Sequence, residues 1–153
     1  MDSVNDNLTR APVDSSLDIE LLQRSFNLIA PRAEDFVEAF YAKLFELYPE
    51  TISFFAATDM AQQRKKLVSA LILVMENLRS PQALGPALTA LGRKHQSYNI
   101  TPAHYPMVGD ALLKTFGAFL GEAWKPEIEK AWTQAYGVIT RAMLSGYSAP
   151  HAP

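Results

Sequence analysis

The stretch LGPALTALGRKH, residues 84–95, decides how the rest of the chain is read. Leu84, Leu88, Leu91 and His95 step by four, three and four residues, so an imidazole stands last in an apolar row on one face of a helix. An imidazole aimed at a core needs partners for its ring nitrogens, and a carbonyl or a metal can serve.

The same period runs outward in both directions. Ile19, Leu22, Phe26 and Ile29 form one stripe that ends at Pro31, and Val37, Phe40, Tyr41, Leu44 and Tyr48 form another that ends at Pro49. Proline disfavours the helix at itself and in the residue before it. A third helix is expected from Asp59, with Gln62 placed as in a capping box, through Leu67, Leu71, Val74 and Leu78. Ser80-Pro81 and Thr101-Pro102 each set a capping hydroxyl before a proline at the first helical position and so open two more helices. Tyr105, Val108, Leu112, Phe116 and Phe119 stripe the second of these, and after Lys125-Pro126 the last stripe is Ile128, Trp132, Tyr136, Ile139 and Met143. Gly117 and Gly121 form a GxxxG, read as room for a close helix contact. No strict alternation argues for a strand, so the fold class is all-α. The domain is expected over residues 17–147, between a flexible extension of residues 1–16 and a frayed tail of residues 148–153.

Composition excludes several classes. The 153 residues are 48% hydrophobic and 20% charged, enough for a core and too apolar for disorder. Fourteen Lys and Arg against sixteen Asp and Glu leave a charge of −2, with no basic stripe for nucleic acid. The opening MDSVNDNLTRAPVDSS has no apolar signal-peptide run, and nothing reaches the roughly 18–20 residues of a membrane span. A cytoplasmic protein without a membrane partner is expected, as a monomer or weak dimer. With no Cys there is no thiolate metal site, no thioether-attached haem and no cysteine nucleophile. Of the three His, His104 reads as an exposed or capping residue, and His151 in the tail has no assigned role. His95 keeps two readings: a core histidine bonded to a carbonyl, or the single axial ligand of an iron porphyrin, which asks for one neutral imidazole in an apolar wall.

The motifs FYAKLF (residues 40–45), Phe54-Phe55 after Pro49, QRKKL (63–67), KHQSY around His95, HYPMVGDALL (104–113) and AWTQAYGVI (131–139) occur in this order. With them the chain resembles the globins from Leu17 to Met143, specifically the flavohaemoglobin-like group of bacterial single-domain globins. The resemblance implies a globin fold around noncovalent haem b. It also implies His95 as the proximal iron ligand, Phe55 on the haem face, Tyr41 and Gln63 as the distal polar pair, and Leu67 as their apolar neighbour. Leu91, Ile100 and Tyr105 complete the cofactor-binding set, with Lys66, Lys94 and Tyr98 as candidates for the haem propionates. The chemistry is consistent: a phenol O–H and an amide N–H in a dry pocket stabilise charge drawn onto bound dioxygen. Read without the resemblance, Tyr41 is a helix-face aromatic with its hydroxyl at the surface, and Gln63 a solvated first-turn glutamine.

One departure bears on function. Family members with peroxidase-like or redox-enzyme character tune the proximal imidazole with a helix tyrosine and a last-helix glutamate. Tyr105 matches the tyrosine, but Tyr147 stands at the glutamate's place and no Asp or Glu follows Glu129. An anionic push on His95 is therefore not expected. No G-x-G-x-x-G occurs either, so electrons would come from a separate reductase. The implied function is binding of dioxygen and other diatomic ligands such as nitric oxide and carbon monoxide. The alternatives are a nitric oxide dioxygenase fed by that reductase, and a gas or redox sensor module.

Overall fold

Capping groups and prolines set where the helices begin and end. In the computed structural model, which describes residues 17–148, α1 spans Ile19–Ile29. Its first turn is held by the Asp18 carboxylate, which accepts from the Leu21 N–H at 3.1 Å. Pro31 sits in a 3-10 turn, Ala30–Arg32, that leads directly into α2, Ala33–Leu47. A second 3-10 stretch, Pro49–Phe55, begins at the next proline. Asp59 caps α3, Met60–Glu76, accepting from the N–H groups of Ala61 and Gln62. Pro81 opens α4, Pro81–Ser97, and Pro126 opens α6, Pro126–Leu144. Between them lie α5, His104–Leu120, and a short 3-10 turn, Gly121–Ala123. Among the described residues there is no strand, and no helix is long and apolar enough to cross a membrane.

Several details differ from the expectation. Leu78 is buried but lies in the turn after α3, not in the helix. Thr101-Pro102 does not start α5. α5 begins at His104, with Ala103 as its N-cap and no side-chain cap, and the Thr101 N–H, ahead of the helix, donates to His104 Nδ1 at 2.9 Å. His104 is half-buried at the first position of the helix. The GxxxG brings no second helix close: Gly117 faces the Trp124 ring, and Gly121 ends α5 with φ +55, in the left-handed region that glycine tolerates. Ser148 exchanges two hydrogen bonds with Gln96. Residues 1–16 and 149–153, His151 among them, lie outside the described residues.

The core is aromatic and joins four helices. Phe36 of α2 meets Phe116 of α5 at 4.7 Å between centroids, and Phe116 meets Trp132 of α6 at 4.3 Å. The Trp132 indole N–H donates to Ser25 Oγ of α1 at 2.8 Å, and Ser25 in turn donates to the Leu21 carbonyl. Every polar atom of this buried link is satisfied. The other two helices attach at the sides: α3 leans on α1 and α2, and α4 packs against α6. They are not packed face to face, and their apolar residues Leu67, Leu71, Leu84 and Leu91 touch the core yet stay only partly buried.

At the crossing of α4 and α6 the backbones meet directly. A Cβ on Gly92 would collide with the Met143 carbonyl, and one on Gly146 with the Thr89 carbonyl. Gly92→Ala is expected to lower stability by roughly 1–3 kcal/mol, because backbone must move to admit the methyl group. Gly137→Ala, mid-helix with only Arg141 at 3.6 Å from the added carbon, should instead stabilise by up to about 1 kcal/mol through helix propensity. Urea unfolding of both variants measures the contrast, and equal effects would contradict the close crossing.

Candidate haem site

Two groups of side chains carry the polar atoms of the candidate site. The first comes from α2, the stretch after Pro49 and the start of α3. Tyr41 is buried on the same face of α2 as Phe40 and Leu44. Gln63, in the first turn of α3, donates through Nε2 to the Tyr41 hydroxyl at 3.0 Å. The Tyr41 proton then has no protein acceptor among the described residues. With the amide turned over, Tyr41 would donate and the Gln63 NH2 would be spare, so at least one donor remains either way. Burial pushes the Tyr41 phenol up from its ordinary value, against the opposing effect of the Gln63 bond, and keeps it protonated at neutral pH.

Phe55 belongs to this group: its ring lies 5.5 Å from Tyr41, edge-on, and 5.6 Å from Phe45. Phe54 turns the other way and packs edge-on against His104 at 4.8 Å. Leu67, one helical turn after Gln63, is partly buried.

The second group is built around His95, near the end of α4. His95 Nδ1 lies 2.9 Å from the Leu91 carbonyl. A carbonyl only accepts, so Nδ1 carries the hydrogen and Nε2 keeps its lone pair, with no protein partner among the described residues. Burial pulls the imidazole pKa down, partly offset by the Leu91 bond, so the ring is neutral at pH 7. Tyr105 of α5 is buried, with its ring 6.5 Å from that of His95. The Tyr147 hydroxyl donates to the Ile100 carbonyl at 2.8 Å, so the Tyr105 hydroxyl, 3.0 Å away, donates to Tyr147. Burial, and then the Tyr147 bond, drive the Tyr105 phenol far above its ordinary value.

The structure therefore brings Tyr41, Gln63 and Phe55 together, and separately His95, Leu91, Ile100 and Tyr105. It does not draw Lys66, Lys94 or Tyr98 into either group: all three are exposed, Tyr98 by 59%, and neither lysine is in an ion pair among the described residues. Tyr147 enters the sequence reading only as a replaced glutamate, yet it anchors the second group. Gly92 is absent from that reading. Its signal was available, since a glycine inside a helix costs about 1 kcal/mol and marks close backbone approach.

The donor set suits a group that brings most of its own ligands. Among the described residues no three His, Asp or Glu gather to hold a bare metal ion. A lone neutral imidazole with Nε2 free, half-open apolar walls and one spare donor fit a porphyrin iron.

Sequence and structure comparisons agree. The globin family profile matches residues 38–143. The chain is 34% identical over 128 residues to a flavohemoprotein of Bacillus subtilis, covering 82% of this chain and 32% of that protein. It is 36% identical over 123 residues to a flavohemoprotein of Rhodopirellula baltica, covering 79% and 30%. The chain thus spans about a third of the length of these relatives. Among solved structures, an engineered carbene transferase derived from a provisional nitric oxide dioxygenase of Rhodothermus marinus superposes with TM-score 0.74 at 26% identity, over 83% of this chain and 88% of that one. A bacterial globin from Campylobacter jejuni gives 0.73 at 25%, over 83% and 91%. Helix order, profile and relatives lead to one conclusion: the chain belongs to the globin family and is similar to the globin portion of bacterial flavohemoproteins.

Proposed function

We propose that this chain binds haem b noncovalently through His95 Nε2 and uses it to hold dioxygen and other diatomic gases, as a store, carrier or scavenger in the cytoplasm. The observation that carries the reading is a pairing: an imidazole fixed as its Nδ1–H tautomer by Leu91, and a buried Tyr41–Gln63 couple with one donor to spare. His95 Nε2 would hold the haem through its iron, which would supply a centre able to bind a diatomic gas. Leu91 orients the imidazole and keeps Nε2 free to ligate. Phe55, held by Tyr41 and Phe45, offers a ring for the porphyrin face, and Leu67, Leu91 and Ile100 exclude water. Tyr41 and Gln63 donate to the ligand, and their bonds gain strength because the pocket is dry. Lys66, Lys94 and Tyr98 are assigned to the propionates at the solvent edge, where exposed cations keep their charge in water.

The Rhodothermus relative favours a second reading, nitric oxide dioxygenase activity. Nitric oxide, dioxygen and one electron give nitrate, and in this reading the electron is supplied by a separate reductase. Mixing the oxygenated protein with nitric oxide should then give one nitrate per chain and stop. Adding a reductase should restart it, and sustained turnover on NADH alone by protein free of other enzymes would contradict this account.

Haem should load at one per chain, and His95→Ala should lose most of it. Retention with an unchanged ferrous spectrum would remove His95 as the ligand. Tyr41→Phe should speed dioxygen release by at least about tenfold, since a hydrogen bond to a partly charged acceptor is worth about 1.5–3 kcal/mol and its loss appears mainly in escape. Carbon monoxide release should change much less, and Gln63→Leu should act in the same direction more weakly. Stopped-flow rates showing equal effects on both gases, or none, would leave Tyr41 a packing residue.

A further inference from the structure

The helix that carries His95 is held chiefly by the end of α6, turn by turn. The Thr89 hydroxyl lies 3.4 Å from the Ala142 carbonyl and 3.2 Å from the Ser145 hydroxyl. Gly92 lies against the Met143 carbonyl. Gln96 gives one hydrogen bond to the Ser148 carbonyl at 3.0 Å and takes one from its N–H at 2.8 Å. Just past the helix, the Ile100 carbonyl accepts from the Tyr147 hydroxyl at 2.8 Å. These contacts fall on one face of α4 and continue beyond its end, and none of them reaches the imidazole.

Ile100 is the residue through which they can act on it. Its N–H donates to the His95 carbonyl at 3.2 Å, beside the Tyr98 N–H at 3.0 Å. Asn99 between them has φ 69, in the left-handed region that asparagine enters more readily than most residues, so the chain doubles back immediately after the helix. Ile100 is thus bonded to the His95 backbone on its N–H side and to Tyr147 on its carbonyl side.

We propose that the Tyr147 hydroxyl is a positioning group for His95: it receives the Tyr105 proton, gives its own to the Ile100 carbonyl, and so fixes the turn from which the imidazole stands. The inference rests on the reading of His95 as the cofactor's ligand. The polarity of the chain of bonds supports it. Both phenols are donors and the chain ends on a neutral carbonyl, so the Tyr105 proton is committed away from the imidazole, which keeps Leu91 as its hydrogen-bond partner. The ionisable groups on the surrounding elements are Arg93 and Lys94 on α4 and Tyr98 after it; His104, Tyr105, Asp110 and Lys114 on α5, with Asp110 bonded to Tyr48 and Lys114; and Glu127, Glu129, Lys130, Tyr136, Arg141 and Tyr147 on or just after α6. No carboxylate occurs from residue 77 to 109 or after Glu129 to compete for the Tyr105 proton.

Tyr147→Phe keeps the ring and removes the hydroxyl, which separates positioning from packing. In the haem-loaded protein we expect transfer of haem to excess apomyoglobin to quicken about five- to tenfold, the effect of one buried hydrogen bond. The ferrous iron–imidazole stretching band in resonance Raman spectra should shift or broaden, while the unfolding midpoint of the haem-free chain changes little. An unchanged band and transfer rate would overturn the proposal. So would a loss of stability with the band unchanged, because the residue would then serve packing alone. Gln96→Ala, on the more exposed part of the same clasp, should move both readouts in the same direction. If Tyr147→Phe fails to fold, an unaltered band and rate in Gln96→Ala overturn the proposal instead. His95→Ala measured alongside keeps the two failures apart: retained haem with the wild-type band would sink the reading of the ligand itself.

Discussion

Because Gly92 has no Cβ, the carbonyl of Met143 can lie against the backbone of α4, and the arrangement around His95 follows from that contact. Two backbones in van der Waals contact have a single register, since a methyl group's displacement would open both sides of the crossing. That register places Thr89 beside Ser145 and Gln96 beside Ser148, one turn to either side. Leu91 and His95, a helical turn apart, fall to one side of that contact stripe, with the imidazole ring 6.5 Å from that of Tyr105. The glycine costs helix stability where it stands. The cost is offset by the packing of α4 against α6, and α4 has no comparable contact with any other helix.

The molecule treats its buried polar groups in two ways. In the aromatic core, the Trp132 indole and the Ser25 hydroxyl complete each other's bonding, and the hydroxyl goes on to donate to Leu21. That link is closed, as a buried polar link must be if it is to rigidify a core. Around the gap the pattern is open. His95 uses one ring nitrogen and Tyr41 accepts without donating. An unpartnered polar group away from water costs about 1–3 kcal/mol, a cost the molecule avoids here, since the Tyr41 hydroxyl keeps its bond to Gln63 and His95 is only partly buried. Desolvation nevertheless disfavours the charged form of both the imidazole and the phenol.

Much of this was legible in the residues. Each of the six helices announces itself by an apolar stripe and a proline or capping group, and His95 is visible as the last member of a row of leucines. What failed depends on contacts between elements remote in sequence. Thr101-Pro102 has the form of a helix start, but the rule cannot see that the imidazole of His104 will fold back and satisfy the Thr101 N–H. The GxxxG of Gly117 and Gly121 has the form of a helix contact, yet one glycine makes room for a tryptophan and the other ends the helix. Tyr147 and Ser148 lie beyond the last stripe, where no periodicity remains to mark them, and their importance comes from Ile100 and Gln96, more than forty residues earlier. Of the candidate site, the residues on stripes were readable, whereas the clasp that orients them was not.

The half-buried leucines on α3 and α4 connect the fold to its cofactor chemistry. Leu67, Leu71, Leu84 and Leu91 occupy core positions by period but remain partly open, α3 resting on α1 and α2 and α4 on α6 with little contact between the two. Apolar surface left in water forgoes about 25 cal/mol per Å², and a flat apolar group inserted between the two helices would recover it on both sides at once. The aromatic core of α1, α2, α5 and α6 needs no such group, being packed and hydrogen-bonded within itself. α3 and α4 also bury Val74, Met75 and Leu88 in the core, and it is only their half-buried leucines that leave apolar surface for a bound group to cover. A ligand that binds the folded chain and not the unfolded one adds its binding free energy to folding. Haem bound by this globin is in this way part of its folding stability.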